Sequence, residues 1–287
     1  MEDLGTLTPE EQRQVNRALG YPYERPTFSF VYHQGIVHEL HPDPKTQTLT
    51  VEWDGVRQPL RDVMELGIRV PVVGYGSNGA PERLQQKFGK APQSSLVPVT
   101  MAVLQDFDVV YGAQITGYGS IPATLQHSKG CQTPVVVNWL DQDQLELMHQ
   151  SEQVGINYDF CELQNISLQL ADGEKVTRCF TYLSRHGVVL DQGLPIALAV
   201  IPSQRRRFSA QDQLAVQRHL QSVVAASGEL DRFVLGQIGG PGGEERMRRM
   251  QLWQQQREFF RYPAVRTCHE LSSQDLCDEV AAVVSLY

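Results

Sequence analysis

A glycine-rich turn contains the first residues of this sequence whose types and spacing suit chemistry. VVGYGSNGAPERLQQKF, residues 72–88, runs from an apolar strand pattern through Gly-Tyr-Gly-Ser-Asn-Gly into a helix predicted from about Pro81. Such a turn presents free backbone N–H groups beside a helix N-terminus, which suits a carboxylate, a phosphate or an oxyanion. The alternative is a plain turn, with Asn78 in a left-handed conformation and Ser77 as a local cap.

The same stretch, read as GYGSNGAPERL, resembles the signature of the γ-glutamylcyclotransferase-like family, in which a strand runs into Tyr-Gly-Ser-Asn and then a helix. ATLQHSKGCQTPVVVNWLDQDQLELMHQSEQVGINY and IPSQRRRFSAQDQLAVQRHL are similar to later parts of that family. The resemblance covers roughly residues 70–220. It implies an α+β fold, a small mixed β-barrel with flanking helices, and a pocket at the glycine turn.

The resemblance also implies a reaction, the release of 5-oxoproline from a γ-glutamyl amine or peptide, with neither a cofactor nor a metal. The substrate's own α-amine attacks its γ-carbonyl, so the enzyme supplies a base, oxyanion donors and an acid. One carboxyl can carry out both proton transfers if an apolar pocket favours its protonated form. The positions that match the family are Glu152 as the acid/base and, for substrate binding, Tyr75, Gly76, Ser77, Asn78 and Tyr158.

Two positions depart from the family pattern. The family's acid is directly followed by glycine, whereas Glu152 precedes Gln153, and a bulky apolar residue usually stands where this chain has Gly79. Both departures fall at the predicted pocket, so they bear on substrate identity and leave room for a member without activity. A solvated carboxylate at a helix end is the other interpretation of Glu152, and Leu147 and Met148 are the residues expected to give it apolar surroundings.

The chain divides by pattern into three segments. Residues 1–68 predict a helix, with Thr8 and Glu11 forming a capping box and Pro9 in the first turn, followed by a small β module. Residues 69–208 hold the γ-glutamylcyclotransferase-like core.

Residues 209–287 predict a C-terminal helical extension. It comprises a helix capped by Ser209, a second over EERMRRMQLWQQQREFFR and a third over SSQDLCDEVAAVVSLY. A non-catalytic scaffold that uses this fold and binds a protein partner through the C-terminal helices is therefore the alternative to an enzyme.

Other candidate residues carry weaker signals. A second Gly-Tyr-Gly-Ser at residues 117–120 would line the same pocket if its strand lay beside the first, or is a plain turn. Three histidines, at positions 33, 38 and 41, fall on a predicted strand end without an acidic partner, so no metal site is predicted there. The run of arginines at positions 205–207 suits either an anionic substrate end or a solvated helix entrance.

Composition limits the classes of partner. The 287 residues are 41% hydrophobic and 20% charged, and 33 acidic against 25 basic residues give a net charge of −8. This balance argues against a nucleic-acid or anionic-membrane binder. The polar N-terminus resembles no secretory signal, no apolar run approaches membrane-spanning length, and the five cysteines form no CxxC pair, so a cytoplasmic protein with reduced cysteines is expected.

Overall fold

The computed structural model of the chain describes residues 6–46, 48–63, 69–89, 96–171, 173–240 and 243–268. The third predicted C-terminal helix, Cys277 and the segment boundary at position 68 lie outside these residues. The four cysteines within them, at positions 131, 161, 179 and 268, are buried free thiols. Among the described residues, no helix combines the length and the apolar character that crossing a lipid bilayer requires.

The described residues form seven α-helices and fourteen strands. The helices are α1 Pro9–Leu19, α2 Leu60–Val63, α3 Pro81–Phe88, α4 Gln142–Glu152, α5 Gln213–Val223, α6 Leu230–Leu235 and α7 Gly243–Trp253, with 3₁₀ turns at Ser77–Gly79 and Gln254–Gln256. The strands are β1 Phe30–His33, β2 Ile36–Pro42, β3 Leu49–Trp53, β4 Val56–Pro59, β5 Val70–Gly74, β6 Val97–Tyr111, β7 Ala123–Leu140, β8 Tyr158–Leu170, β9 Lys175–Ser184, β10 Leu190–Asp191, β11 Leu194–Pro195, β12 Ala197–Leu198, β13 Ala210–Gln211 and β14 Val265–Thr267.

Five strands close into a small barrel. β5 pairs with β7, β7 with β6, β6 with β8 and β8 with β9, all antiparallel, and β9 returns to β5 in parallel. Closure leaves no free edge in the ring, which suits a barrel of this size. The prediction of an α+β fold with a small mixed β-barrel and flanking helices is confirmed.

Two long strands form the largest part of the barrel wall. β6 and β7 contain 15 and 18 residues, and their register shifts between Gln105 and Phe107. The residue between these two, Asp106, has a φ of 64°, and a bulge of this kind lets a long strand bend around a closed barrel. The residues that join β6 to β7 lie at the rim, beside the end of β5.

The N-terminal segment is continuous with the barrel sheet. The Thr8 hydroxyl accepts the backbone N–H of Glu11, and the Glu11 carboxylate accepts that of Thr8, so the predicted capping box of α1 is confirmed. β1 pairs with β6 outside the closed ring, and β2, β3 and β4 continue from it. The predicted small β module is therefore an extension of the wall formed by β6.

The C-terminal segment differs from its prediction in two helix boundaries. α5 is capped by Asp212, whose Oδ1 accepts the N–H of Ala215, and not by Ser209. The Ser209 carbonyl instead accepts the N–H of Ala197, which draws residue 209 toward the β12–β13 pair. The predicted second helix ends at Trp253 rather than continuing to residue 261.

All three predicted segments contribute to one hydrophobic cluster. Barrel residues share it with Ala18 and Tyr21 from the N-terminal side. From the C-terminal side it includes Val216, Leu220, Phe233, Val234, Met250 and Trp253. The segments outside the barrel are thus packed against its core.

Candidate active site

The glycine-rich turn follows β5 directly and is positioned by two elements. β5 ends at Gly74, and α3 begins at Pro81 after the 3₁₀ turn Ser77–Gly79. We call residues 75–78 the 75–78 turn. The plain-turn alternative is wrong in its details, because Asn78 is not among the described residues with positive φ and the 3₁₀ turn has no side-chain cap.

Glu152 is the last residue of α4, the helix predicted to start near Asp141. The Asp141 carboxylate accepts the N–H of Gln144 and the Gln144 side chain accepts that of Asp141, which fixes the start of the helix. Gln153 ends it with a left-handed φ of 51°. The Asn78 side chain donates from Nδ2 to Glu152 Oε1 at 3.1 Å, so the predicted acid lies beside the predicted turn.

Both elements face one cavity of about 520 Å³ at the barrel rim. All six residues predicted from the family resemblance line it, including Tyr158, whose hydroxyl donates to the Ala123 carbonyl at 3.1 Å. The second Gly-Tyr-Gly-Ser belongs to a turn rather than a strand, and Gly117 and Tyr118 from it line the same cavity. Residues 74 places apart in the sequence are therefore brought to a common site.

At two glycines near the turn, other residues lie close to the space of the missing side chain. A Cβ at position 76 would collide with the hydroxyl of Tyr21, which itself accepts the Ala123 N–H at 2.9 Å. A Cβ at Gly79 would lie 3.2 Å from both Arg25 Cδ and a Val136 methyl. The departure from the family pattern at Gly79 thus has a local cause, since Arg25 and Val136 fill the place of a larger side chain.

Several polar groups of the 75–78 turn have no hydrogen-bond partner among the residues that the structure describes. Within the described part of the chain, the N–H groups of Gly76, Ser77 and Asn78 donate no hydrogen bond. Arg25 donates to the Tyr75 and Gly76 carbonyls at 3.3 and 3.5 Å, which fixes the turn from outside. The buried Asn78 Oδ1 and, across the cavity, the buried Gln114 Oε1 also have no partner among the described residues. Unsatisfied buried polar groups that line a cavity are available to a ligand.

Four buried tyrosines surround the acid. Burial raises the pKa of Tyr75 and Tyr182, and the charge of Glu152 adds to the effect. The pKa values of Tyr21 and Tyr158 are raised by burial first as well. The Tyr75 hydroxyl donates to the Tyr182 carbonyl, and the Tyr182 hydroxyl lies 2.8 Å from His149 Nδ1. These phenols are neutral and serve as fixed hydrogen-bonding groups in the wall.

Lys87 lies beside the predicted acid and was not predicted from the sequence as part of the site. Its side chain is 3% exposed and forms an ion pair with Glu152, whose side chain is 16% exposed. The expectation of apolar surroundings for Glu152 is therefore corrected, because a buried cation lies against it. Burial lowers the pKa of the Lys87 ammonium, and the charge of Glu152 opposes that shift. The sequence did contain a signal for burial of Lys87, because Lys87 lies on the same helical face as two apolar residues, Leu84 and Phe88.

The C-terminal segment supplies one wall of the cavity, which sequence analysis also missed. Arg246, Met247 and Met250 of α7 line it. α7 is held in place by Arg249, whose buried guanidinium donates to the Phe233 carbonyl at 2.7 Å. The arginines at positions 248 and 249 lower the pKa of Glu245 to about 2. The ion pairs in the first turns of α7 therefore persist at acidic pH above that value.

His186 joins the barrel to the C-terminal segment at the cavity wall. Its Nε2 lies 3.2 Å from Asn157 Oδ1, and its Nδ1 lies 3.3 Å from the Gln254 side-chain nitrogen. Burial, followed by the charges of Arg257 and Arg185, lowers the pKa of His186. The imidazole is therefore neutral at pH 7 and serves as a hydrogen-bonded link.

Two other groups of candidate residues contact neighbouring side chains outside the cavity. His33 and His38 pack against Trp53, and the described residues contain no cluster of metal-ligating side chains. Arg206 donates to the fully buried carboxylate of Asp108 at 2.9 Å. Arg206 therefore anchors its own segment to β6, whereas Arg205 and Arg207 are exposed.

Comparisons with known proteins found similar solved structures, which include the following three. No model of a protein family matches the chain, and no curated protein matches it. An Arabidopsis thaliana protein solved in solution is 19% identical with a TM-score of 0.32, over 43% of this chain and 72% of its own. A human protein described as uncharacterised is 17% identical with a TM-score of 0.34, and a protein described as a gamma-glutamyl cyclotransferase is 15% identical with a TM-score of 0.32. Each of the latter two covers 74% of this chain and 99% of its own. At these TM-scores the similarities carry no argument about activity or substrate.

Proposed function

We propose that this protein is a γ-glutamylcyclotransferase-like enzyme that releases 5-oxoproline from a γ-glutamyl compound by intramolecular acyl transfer. The observation that carries the proposal is the contact between Asn78 and Glu152 in a cavity lined by donors and acceptors that have no partner in the described part of the chain. A carboxylate beside oxyanion donors is the equipment that this reaction needs, since the substrate supplies its own nucleophile.

The reaction begins with proton removal from the substrate's α-ammonium by Glu152. The freed amine attacks the γ-carbonyl carbon, a C–N bond forms, and the oxyanion is stabilised by the N–H groups of the 75–78 turn. The protonated Glu152 then gives its proton to the leaving nitrogen, and the original amide C–N bond breaks. The attacking nitrogen gives its second proton to the regenerated carboxylate, which passes it to the released amine, so 5-oxoproline leaves with a neutral ring nitrogen and the amine leaves as an ammonium. Asn78 Oδ1 and Gln114 Oε1 supply acceptors for the ammonium before it reacts. The snug cavity holds the flexible glutamyl chain in the ring-closing geometry.

The lining of the cavity favours a leaving amine that carries a carboxylate. Arg83 and Arg246 line the cavity, and the one carboxylate among its lining residues, Glu152, is already paired with Lys87. The described lining therefore has excess positive charge, although the chain as a whole is acidic. A γ-glutamyl peptide with a free carboxylate fits this charge better than a γ-glutamyl amine. Ile156 and Met247, 69% and 53% exposed, give the mouth of the cavity an apolar rim.

The scaffold alternative is less well supported by the positions of the added segments. A scaffold that acts through its additions would keep them apart from the pocket, whereas Tyr21 and α7 form part of the cavity wall. Binding of a protein partner through the C-terminal helices therefore remains an outcome of the test rather than a second proposal.

The test is Glu152→Gln, assayed for 5-oxoproline release from a panel of γ-glutamyl dipeptides and amines. Loss of both proton transfers is expected to reduce kcat by about 10²-fold or more, with the midpoint of thermal unfolding measured alongside. Glu146→Gln is the matched control, because Glu146 is an exposed carboxylate on the same helix. Absence of turnover by the unaltered protein on every panel member, with binding of a protein partner that requires α7, would support the scaffold instead.

A further inference from the structure

Lys87 occupies a position where an unpaired charge would be strongly disfavoured. It lies on the face of α3 that also buries Leu84 and Phe88. Its Nζ contacts Glu152 Oε1 and lies 3.1 Å from Met148 Sδ. Removing one partner from a buried ion pair leaves an uncompensated charge, so the two residues depend on each other.

The two carboxylate oxygens of Glu152 have different surroundings. Oε1 accepts from both Lys87 Nζ and Asn78 Nδ2. Oε2 accepts no hydrogen bond from any residue that the structure describes. One oxygen is therefore held by the protein, and the other is left for a proton from a ligand in the cavity.

We propose that Lys87 is a positioning residue that keeps Glu152 ionised and leaves Oε2 as the atom that takes the substrate's proton. The inference rests on the proposed function, in which Glu152 is the acid/base. Lys87 acts through Glu152, and the proposal requires no contact between Lys87 and the substrate.

The local electrostatics require such a cation. Glu152 ends α4, and the negative end of a helix dipole disfavours a carboxylate there, as does partial burial. Lys87 compensates both effects. Among the described residues, the other titratable or charged groups around the pair are Arg83 of α3, His149 of α4, Tyr158 of β8, Tyr182 of β9, Tyr75 of the 75–78 turn and Tyr21, which follows α1.

The pair also favours the second proton transfer. When Glu152 has taken the substrate's proton it is neutral, and the buried ammonium of Lys87 then lacks its counter-charge. Return of the proton from Oε2 to the leaving nitrogen restores the pair. Lys87 thus favours the ionised form of Glu152, the base, in the resting enzyme, and it favours proton release from Glu152, the acid, in the intermediate.

The experiment compares Lys87→Met, Lys87→Gln and Lys87→Arg by two measurements. The first is the pH dependence of kcat/KM. The second is the NMR signal of the Asn78 side-chain amide in the unliganded protein, which reports the charge on Glu152 through the hydrogen bond to Oε1. Lys87→Gln keeps a donor and removes only the charge, so it serves if the methionine variant does not fold. Lys129→Gln, at an exposed position on β7, controls for the change in net charge.

The expected result is that the Met and Gln variants move the acid limb of the profile and the Asn78 titration upward by about one pH unit or more. Lys87→Arg is expected to keep both near their original positions. Lower thermal stability with an unmoved Asn78 titration in the Met or Gln variant would overturn the inference and leave Lys87 with a packing role. The NMR measurement needs no turnover. If the unaltered protein were inactive, the proposed reaction would be refuted, but the Asn78 titration would still show whether Lys87 controls the charge on Glu152.

Discussion

At the scale of single residues, the absence of a side chain at position 76 lets Tyr21 pack directly against the 75–78 turn. Tyr21 arrives there from the N-terminal segment, and its hydroxyl occupies the space into which a Cβ would project. The motif glycine and a tyrosine 55 positions earlier therefore form one packed unit.

This packing predicts the outcome of a double-mutant cycle. Gly76→Ala is expected to lower the free energy of unfolding by about 1–3 kcal/mol, because a methyl group is forced against the Tyr21 hydroxyl. In a Tyr21→Phe background the nearest remaining Tyr21 atom would be Cζ at 3.5 Å, an ordinary contact, so the cost of Gly76→Ala should be smaller. Urea denaturation of the four proteins measures this difference. Equal costs in both backgrounds would contradict the packing argument.

At the scale of elements, α7 has a role that its sequence pattern does not indicate. The pattern of Met247, Met250 and Trp253 is an apolar stripe, and Met250 and Trp253 do pack into the core. Met247 is instead more than half exposed at the cavity mouth, and Arg246 lines the cavity beside it. The helix therefore both stabilises the barrel and shapes the site.

The position of α7 predicts a change in substrate preference. Arg246→Gln is expected to raise KM for a γ-glutamyl dipeptide by about tenfold or more, because a charge-assisted hydrogen bond to the free carboxylate is lost. The same variant should leave KM for the C-terminally amidated dipeptide nearly unchanged. Arg248→Gln is the control, since Arg248 lies on the same helix and pairs with Glu245. Equal loss on both substrates would show that Arg246 does not contact the carboxylate.

At the scale of the whole molecule, the barrel depends on the segments around it. Six side chains between residues 216 and 253 are buried in the cluster shared with the barrel. Burial of each contributes about 1.5–3 kcal/mol, which together is comparable with the 5–15 kcal/mol by which domains are typically stable.

This dependence predicts the behaviour of the isolated core. A fragment of residues 69–208 is expected to lack a cooperative unfolding transition and to bind a hydrophobic dye, because the face covered by α5, α6 and α7 is exposed. Circular dichroism during heating and dye fluorescence measure this, with residues 6–268 as the comparison. A sharp transition in the fragment at the temperature of the longer chain would show that residues 69–208 form an independent domain.

The sequence by itself determined the local features. The N-termini of α1, α3 and α4 follow from capping residues and a helix-starting proline, which act within one helical turn. The roles of Thr8, Pro81 and Asp141 can therefore be predicted from the sequence without knowledge of the fold. The Tyr-Gly-Ser-Asn stretch likewise predicted the turn and, through the family resemblance, Glu152 and Tyr158 as site residues, and all of these residues line the cavity. Ser209 was a wrong cap because a long-range backbone hydrogen bond to Ala197 competes there.

Only the tertiary structure decided how these features meet. Closure of five strands brings the 75–78 turn to the end of α4, and the contacts that define the site join residues 65 and 74 positions apart. Lys87, Tyr21 and Arg246 come from three segments, and local spacing carries no information about which buried group each will face. A lysine on a helix is normally predicted to face solvent, and only the tertiary structure shows whether a buried carboxylate lies beside it. For this reason the contact between Lys87 and Glu152 was found in the structure and not in the sequence.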